Sequence, residues 1–187
     1  MNFTVLGTLV GGCIVLMWLE RRGLRTTLAL NFKGDVKRES RWFAQYGQAA
    51  CTVVAVLLIW QLDPPRRGAA IAVAIAGGAT SLLSMIIKRL LGRVRPGRPN
   101  AGRFLGPTLE HANFRESFPS SHSANAVALT VLLSQLYPQG TLTFWLMALL
   151  CAGLRYLLDA HWPSDVLGGI ALGYALGHEA ILLFKVH

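Results

Sequence analysis

Residues 155–165, with the sequence RYLLDAHWPSD, place an Arg, a His and an Asp where an apolar run ends. Ionisable groups are costly to keep at a membrane edge, so three of them around one turn indicate a functional site. The alternative to a functional site is that these residues form a short polar loop between two apolar runs. Pro163 suits the first position of a helix, and Asp165 then reaches back toward His161. A carboxylate on one imidazole nitrogen leaves the other nitrogen free to attack an electrophile.

A second cluster is basic and lies at 88–96, with the sequence KRLLGRVRP. If the preceding helix continues to Pro96, Lys88 and Arg95 are two turns apart and share one face. Pro96 would then end the helix with Arg95 at its mouth. Fixed cations of this kind suit phosphate oxygens. Taken alone, the cluster would be better explained as a juxtamembrane basic anchor.

The third cluster is PSSH at 119–122. Proline followed by small hydroxylated residues is typical of a helix start, where free backbone N–H groups and the positive end of the helix dipole favour anions. His122 falls in this first turn. Taken alone, it would be explained as a passive interfacial residue.

The composition shows which elements must position these clusters. Of the 187 residues, 53% are hydrophobic and only 14% are charged, and the mean hydropathy is +0.45, which is typical of a membrane protein. The net charge of +9 indicates anionic partners such as lipid headgroups or phosphates. No recognisable nucleic-acid-binding motif is present, so we expect no nucleic-acid partner. The three cysteines lie in apolar runs without metal-binding or disulfide spacing.

Hydrophobic patterning predicts an all-α fold, a polytopic membrane bundle of about six transmembrane helices in a single domain over 1–187. Residues 20–43 carry seven Lys or Arg among apolar side chains, including Phe32, and predict either interfacial helices or a solvated loop. Gly169, Gly173 and Gly177 have the four-residue spacing of close helix contact. The six runs are Phe3–Leu19, about Tyr46–Leu62, Gly68–Lys88, about Ser120–Tyr137, a run after the 138–140 hairpin ending near Leu158, and Pro163–Phe184.

Together the three clusters resemble the signature of the type 2 phosphatidic acid phosphatases, which reads KxxxxxxRP, PSGH and SRxxxxxHxxxD. The first element is complete. In the second, Ser121 replaces Gly, and in the third, Leu154 replaces Ser. Ser121 keeps the backbone N–H but tolerates fewer backbone conformations than Gly. The elements lie in the expected order over residues 88–165.

The resemblance implies a lipid phosphatase that acts through a phosphohistidine intermediate, without a metal ion or other cofactor. In it, His161 would be the nucleophile, Asp165 would orient and polarise it, and His122 would protonate the leaving oxygen. Several residues would hold the phosphate: Lys88, Arg95, Ser120, the Ser121 backbone and Arg155. The sequence supports the absence of a metal independently, since its polar connections carry no carboxylate cluster of metal-ligand type.

The expected partners are a lipid phosphate or pyrophosphate and the bilayer, and the sequence leaves the oligomeric state open. Phosphatidic acid, phosphatidylglycerophosphate, a polyprenyl pyrophosphate and the phosphates of lipid A all remain candidate substrates. A lipid-to-lipid phosphotransferase using the same site is one alternative function. A catalytically silent lipid-binding or transport protein on the same scaffold is another.

The two indications of membrane orientation disagree. All but three of the 18 Lys and Arg residues lie on the side of the predicted site, the exceptions being Arg66, Arg67 and Lys185. The positive-inside rule would therefore place the site in the cytoplasm. The resemblance implies a bacterial inner-membrane protein whose site faces the periplasm and whose termini are both cytoplasmic. We expect the second arrangement, because several of the cations would serve phosphate binding.

Overall fold

A computed structural model describes residues 1–24, 26–28, 30 and 34–186, apart from the side chains of residues 36 and 37. The described chain forms a bundle of α-helices, as the sequence predicts. The helices are α1 (Phe3–Arg21), α2 (Gly34–Phe43), α3 (Ala49–Leu62), α4 (Arg67–Leu91), α5 (Ser121–Leu136), α6 (Thr141–Leu157) and α7 (Pro163–Phe184). Among the described residues, the only β-type pairing is an isolated bridge between Arg93 and Phe104.

Helix α5 is the centre of the bundle. It packs against α4, α6 and α7, and nearly all of its residues after the first turn are buried. The contact with α7 is close because glycines face it: a Cβ at Gly169 would collide with the Ser120 carbonyl, and one at Gly173 with the Ala124 carbonyl. This confirms the predicted close contact through small residues, and it holds the start of α7 against the start of α5.

Each of the six apolar runs contains a helix, but the predicted count of six spans is not confirmed. Within the described ranges, four helices are long and apolar enough to cross a membrane, and a bent pair (Arg38–Gly47 with Ala49–Leu62) would make a fifth. Helix α5 has only 16 residues, fewer than the roughly 20 that a perpendicular span needs. Its burial inside the bundle explains how so short a helix occupies the centre.

The long connections gather at one end of the bundle. At this end Glu20 of α1 meets the start of α7, and Arg95 of the 92–120 connection reaches the Ala160 carbonyl. The short connections lie at the other end, where the Tyr137 hydroxyl donates to Asp63 at 3.0 Å. The end with the long connections therefore carries the three sequence clusters.

Within its described residues, the connection over 20–43 contains one helix, and whether it lies in the membrane interface stays a prediction. The helix is α2, and its last residues, Trp42 and Phe43, are exposed. Other parts of that prediction, including Phe32, lie outside the described residues.

Candidate active site

His161 lies in the turn between α6 and α7 and is almost fully buried, with 1% of its surface exposed. Its Nδ1 is 2.8 Å from the carbonyl oxygen of Ser117. Because a carbonyl only accepts hydrogen bonds, Nδ1 must carry the hydrogen, and Nε2 keeps its lone pair. Burial lowers the pKa of His161 to about 3, helped by the charges of Lys88 and Arg155, while the contact with Asp165 opposes the shift. The imidazole is therefore neutral, with Nε2 available to attack.

Asp165 stands at the third position of α7, as Pro163 in the first position predicts. Its Oδ2 accepts a hydrogen bond from the Trp162 backbone N–H at 2.9 Å and another from the Ser117 hydroxyl. The same oxygen is 3.7 Å from Nδ1 of His161, which exceeds hydrogen-bonding distance. The Ser117 carbonyl therefore holds the imidazole directly, and Asp165 lies behind it as a nearby negative charge.

Two charged residues that the sequence motifs did not single out complete this buried region. Arg93 donates to Asp165 Oδ1 at 2.6 Å and to Glu20 Oε2 at 2.7 Å, while its guanidinium lies between the rings of Phe104 and Trp162, 5.4 Å from each centroid. Arg93 is completely buried. Its signal in the sequence was obscured by the neighbouring arginines. An acidic Glu20 at the end of an apolar run was a detectable signal.

Lys88 and Arg95 come together, but not in the way that the sequence predicts. Helix α4 ends at Leu91, and Gly92 adopts a left-handed conformation with φ of 61°, so the prediction of one helix reaching Pro96 is wrong. Gly92 suits this conformation because it has no Cβ. The turned chain brings both cations to the Glu116 carbonyl, which accepts from Lys88 Nζ at 2.8 Å and from Arg95 Nη2 at 3.3 Å.

The start of α5 agrees with the predicted helix start. Ser120 is the N-cap and is fully buried, and its hydroxyl accepts from the Ser123 hydroxyl at 2.9 Å. Its own N–H donates to the Asp165 carbonyl at 2.9 Å. The Ser120 hydroxyl therefore serves the helix cap, whereas the N–H groups of Ser121 and His122 belong to the first turn, which has no intrahelical acceptor for them.

Arg155 is half-buried at the end of α6, and its Nε has no hydrogen-bond partner among the described residues. Burial and the charges of Arg155, Lys88 and Arg95 all disfavour the protonated form of His122. In the described part of the chain, none of these three cations forms an ion pair with a carboxylate. Three cations without carboxylate partners near the start of a helix can receive an anion. Burial also lowers the pKa of Arg95.

Known proteins that resemble this chain show its family. The model of the PAP2 superfamily matches residues 67–186. The chain is 38% identical over 96 residues to a lipid A 1-phosphatase of Rhizobium etli, covering 50% of this chain and 41% of that one. It is 30% identical over 141 residues to a decaprenylphosphoryl-5-phosphoribose phosphatase of Mycobacterium tuberculosis, covering 74% and 75%. The chain thus spans about two fifths of the length of the first of these relatives.

A solved structure supports the fold. The crystal structure of a transmembrane PAP2 type phosphatidylglycerolphosphate phosphatase from Bacillus subtilis superposes with a TM-score of 0.73, at 20% identity, over 96% of both chains. The matched family region contains every predicted site residue from Lys88 to Asp165. The chain is therefore a multi-pass membrane protein that belongs to the PAP2 superfamily.

Proposed function

We propose that this protein hydrolyses the phosphate ester or pyrophosphate of a membrane lipid through a phosphohistidine formed on His161. The observation that carries the proposal is the tautomer of His161: Nδ1 donates to Ser117, so Nε2 holds its lone pair. The charges of Lys88 and Arg155 act on this ring, and Arg95 donates to the carbonyl of the preceding residue, Ala160. A neutral nucleophile next to cations without carboxylate partners suits phosphoryl transfer, which depends mainly on positioning and charge neutralisation.

The proposed reaction has two balanced steps. In the first, the bound phosphate offsets the charges of the three cations near His122, so that His122 takes up a proton from solvent. The Nε2 lone pair of His161 then forms a bond to phosphorus, the bond from phosphorus to the leaving oxygen breaks, and His122 gives that oxygen its proton. In the second, a water oxygen bonds to phosphorus, the N–P bond breaks, and His122 takes the proton back from the water. The products are inorganic phosphate and the lipid that lost it. The Ser121 and His122 N–H groups, with the three cations, would hold the phosphoryl oxygens.

The substrate class follows from two similarities. The relatives named above act on lipid A and on a decaprenyl-linked phosphate, both of which present a phosphate at a membrane surface. The apolar helices and the gathering of cations at one end of the bundle suit the same kind of molecule. A panel of phosphatidic acid, phosphatidylglycerophosphate, a polyprenyl pyrophosphate and lipid A, assayed for phosphate release, would identify the substrate. Transfer of the phosphate to a second lipid without its release would favour a phosphotransferase, and an inert protein would favour a binding or transport role.

The proposed reaction needs no metal ion, because Lys88, Arg95 and Arg155 take the role that Mg²⁺ has in other phosphoryl transfers. Activity should survive excess EDTA. Vanadate, which resembles the five-coordinate phosphoryl group, should inhibit. Loss of activity in EDTA that Mg²⁺ restores would place the protein in another mechanistic class of phosphatase.

We further propose that the site faces the periplasm of a bacterial inner membrane and that both termini are cytoplasmic. A topology reporter fused after the last residue should then report the cytoplasm. Periplasmic activity of that reporter would reverse the assignment and agree with the distribution of Lys and Arg.

The roles of the two histidines provide the direct test. His161→Ala should lose about a thousandfold or more of turnover on every substrate, as expected for a nucleophile. His122→Ala should lose roughly 10²- to 10⁴-fold on a lipid monoester, whose alkoxide needs a proton to leave. It should retain most activity on p-nitrophenyl phosphate, if the wild type accepts that substrate and His122 is not needed in the second step, because p-nitrophenolate leaves unassisted.

Trapping identifies the nucleophile. Wild-type protein turning over a ³²P-labelled lipid phosphate and quenched in base should carry label, since phosphohistidine is acid-labile. His161→Ala should carry none, and label retained in that variant would refute the assignment. Equal losses for both variants on both substrates would leave His122 without the role of general acid.

A further inference from the structure

Glu20 is an acidic residue buried at the end of an apolar helix. It belongs to α1 and precedes the region 67–186 that the family model matches. Its side chain is only 2% exposed. Oε2 accepts from Arg93 at 2.7 Å and from the Ser164 hydroxyl, and Oε1 accepts from the Ser164 backbone N–H at 3.2 Å. A buried carboxylate is costly unless it is fully bonded, and Glu20 is bonded on both oxygens.

The position of Glu20 changes the charge seen by His161. Arg93 uses one end of its guanidinium for Glu20 and the other for Asp165, each in an ion pair with side chains at most 2% exposed. With Glu20, the group of Glu20, Arg93 and Asp165 carries one net negative charge. Without Glu20, Arg93 and Asp165 would cancel, and His161 would face a neutral pair.

That charge matters at one moment of the proposed reaction. When Nε2 bonds to phosphorus, the imidazole keeps the hydrogen on Nδ1 and becomes cationic. The nearest carboxylate oxygen, Oδ2 of Asp165, is 3.7 Å from Nδ1. Between two side chains as buried as His161 and Asp165, a charge at this distance acts more strongly than in solution.

We propose that Glu20 is a positioning residue for the nucleophile: by sharing Arg93, it leaves the charge of Asp165 available to stabilise the cationic phosphoimidazole of His161. This inference rests on the proposed function. It assigns a part in the reaction to α1, which contributes none of the residues of the family signature. Glu20 does not touch the substrate, so it should affect the rate of phosphorylation and not substrate binding.

The test measures a rate constant, because Glu20 also anchors α1 and its loss will reduce the folded fraction. A rapid-mixing experiment with the ³²P-labelled form of the panel lipid from which the wild type releases most phosphate, quenched in base, gives both the rate constant and the amplitude of phosphohistidine formation. Misfolding lowers the amplitude alone. Glu20→Gln, which keeps the shape and removes the charge, should lower the rate constant about tenfold to a hundredfold, with little change in KM. The matched control is Glu110→Gln, an exposed carboxylate at the same end of the bundle, which should leave the rate constant unchanged.

A second variant separates charge from shape. Glu20→Asp keeps the charge on a shorter side chain, so it should retain a larger rate constant than Glu20→Gln. A rate constant for Glu20→Gln equal to that of wild type, or larger than that of Glu20→Asp, would overturn the inference and leave Glu20 as a structural anchor. If wild-type protein releases phosphate from a lipid of the panel but forms no phosphohistidine on it, the proposed function fails and this inference fails with it.

Discussion

His161 lies between two regions that treat charge in opposite ways. On one side, Glu20, Arg93 and Asp165 are almost completely buried, and each charge is paired at 2.6 or 2.7 Å. On the other side, Lys88, Arg95 and Arg155 are three cations that form no ion pair within the described residues. We call the first the carboxylate side and the second the phosphate side. Each charge on the carboxylate side has an oppositely charged partner, whereas the charges on the phosphate side are all of one sign.

The difference separates two tasks. Like charges close together raise the free energy of the folded protein, and a bound phosphate would lower it again. In the proposed site, the phosphate side therefore reduces stability and favours ligand binding. Removing one partner of a buried ion pair is strongly destabilising, because the other charge stays buried without a partner. Variants of the carboxylate side should therefore lose both stability and activity, while variants of the phosphate side should lose activity alone.

The largest effect is expected for Asp165→Asn. This change removes the negative charge nearest His161 and leaves Arg93 paired with Glu20 only. We expect a loss of roughly a thousandfold in kcat. This is somewhat less than in a catalytic triad whose carboxylate fixes the histidine tautomer, because the Ser117 carbonyl still fixes the tautomer of His161 in the variant. We also expect a loss of about 3 to 5 kcal/mol in the free energy of unfolding. Kinetics and an SDS unfolding titration measure the two losses. Unchanged stability would show that the carboxylate side does not support the fold.

A smaller effect is expected for Arg155→Ala. Removing one cation from the phosphate side should cost roughly 10²- to 10³-fold in kcat/KM, and the unfolding temperature should stay the same or rise. Inorganic phosphate should raise the unfolding temperature of the wild type, because a ligand that binds only the folded state stabilises it. The variant should respond less. Arg67→Ala, at the opposite end of the bundle, is the control. A lower unfolding temperature for Arg155→Ala without phosphate would contradict the contrast between the two sides.

The smallest expected effect is on the pH dependence of unfolding, which tests whether water reaches the region around His161. The folded-state pKa of His161 is about 3 against an ordinary value of 6.5, so the unfolded chain takes up the proton first. The difference between the two pKa values stabilises the folded protein. That stabilisation is fully present above pH 6.5 and is lost as the pH falls from 6.5 toward 3, at up to about 1.4 kcal/mol per pH unit. His161→Gln should therefore unfold with a shallower dependence on pH between 6.5 and 5.

The control for this measurement is Leu132→Ala, which destabilises the buried core without removing a titratable group. We expect the wild-type pH dependence of unfolding in that variant. An equally steep dependence in His161→Gln would mean that water reaches the His161 ring and that burial on the carboxylate side is incomplete.

The phosphate side was much easier to predict from the sequence than the carboxylate side. Proline and serine chemistry locates the starts of α5 and α7 because helix starts depend on local residues. The turn at Gly92 was missed because the apolar and basic residues around it continue a helical pattern. Arg93 and Glu20 were missed because their pairing joins positions 73 residues apart. Short-range patterns carry no information about such a contact.

The pairing of α1 with α7 also sets the order in which the protein can become active. Glu20 and Ser164 are 144 positions apart, and a chain is synthesised from its N-terminus. Helix α1 is therefore made well before its partner and stays without that contact until α7 is inserted. Until α7 is inserted, Arg93 has no Asp165 and His161 has no helix behind it. The proposed reaction therefore cannot begin before α7 has been inserted beside α1.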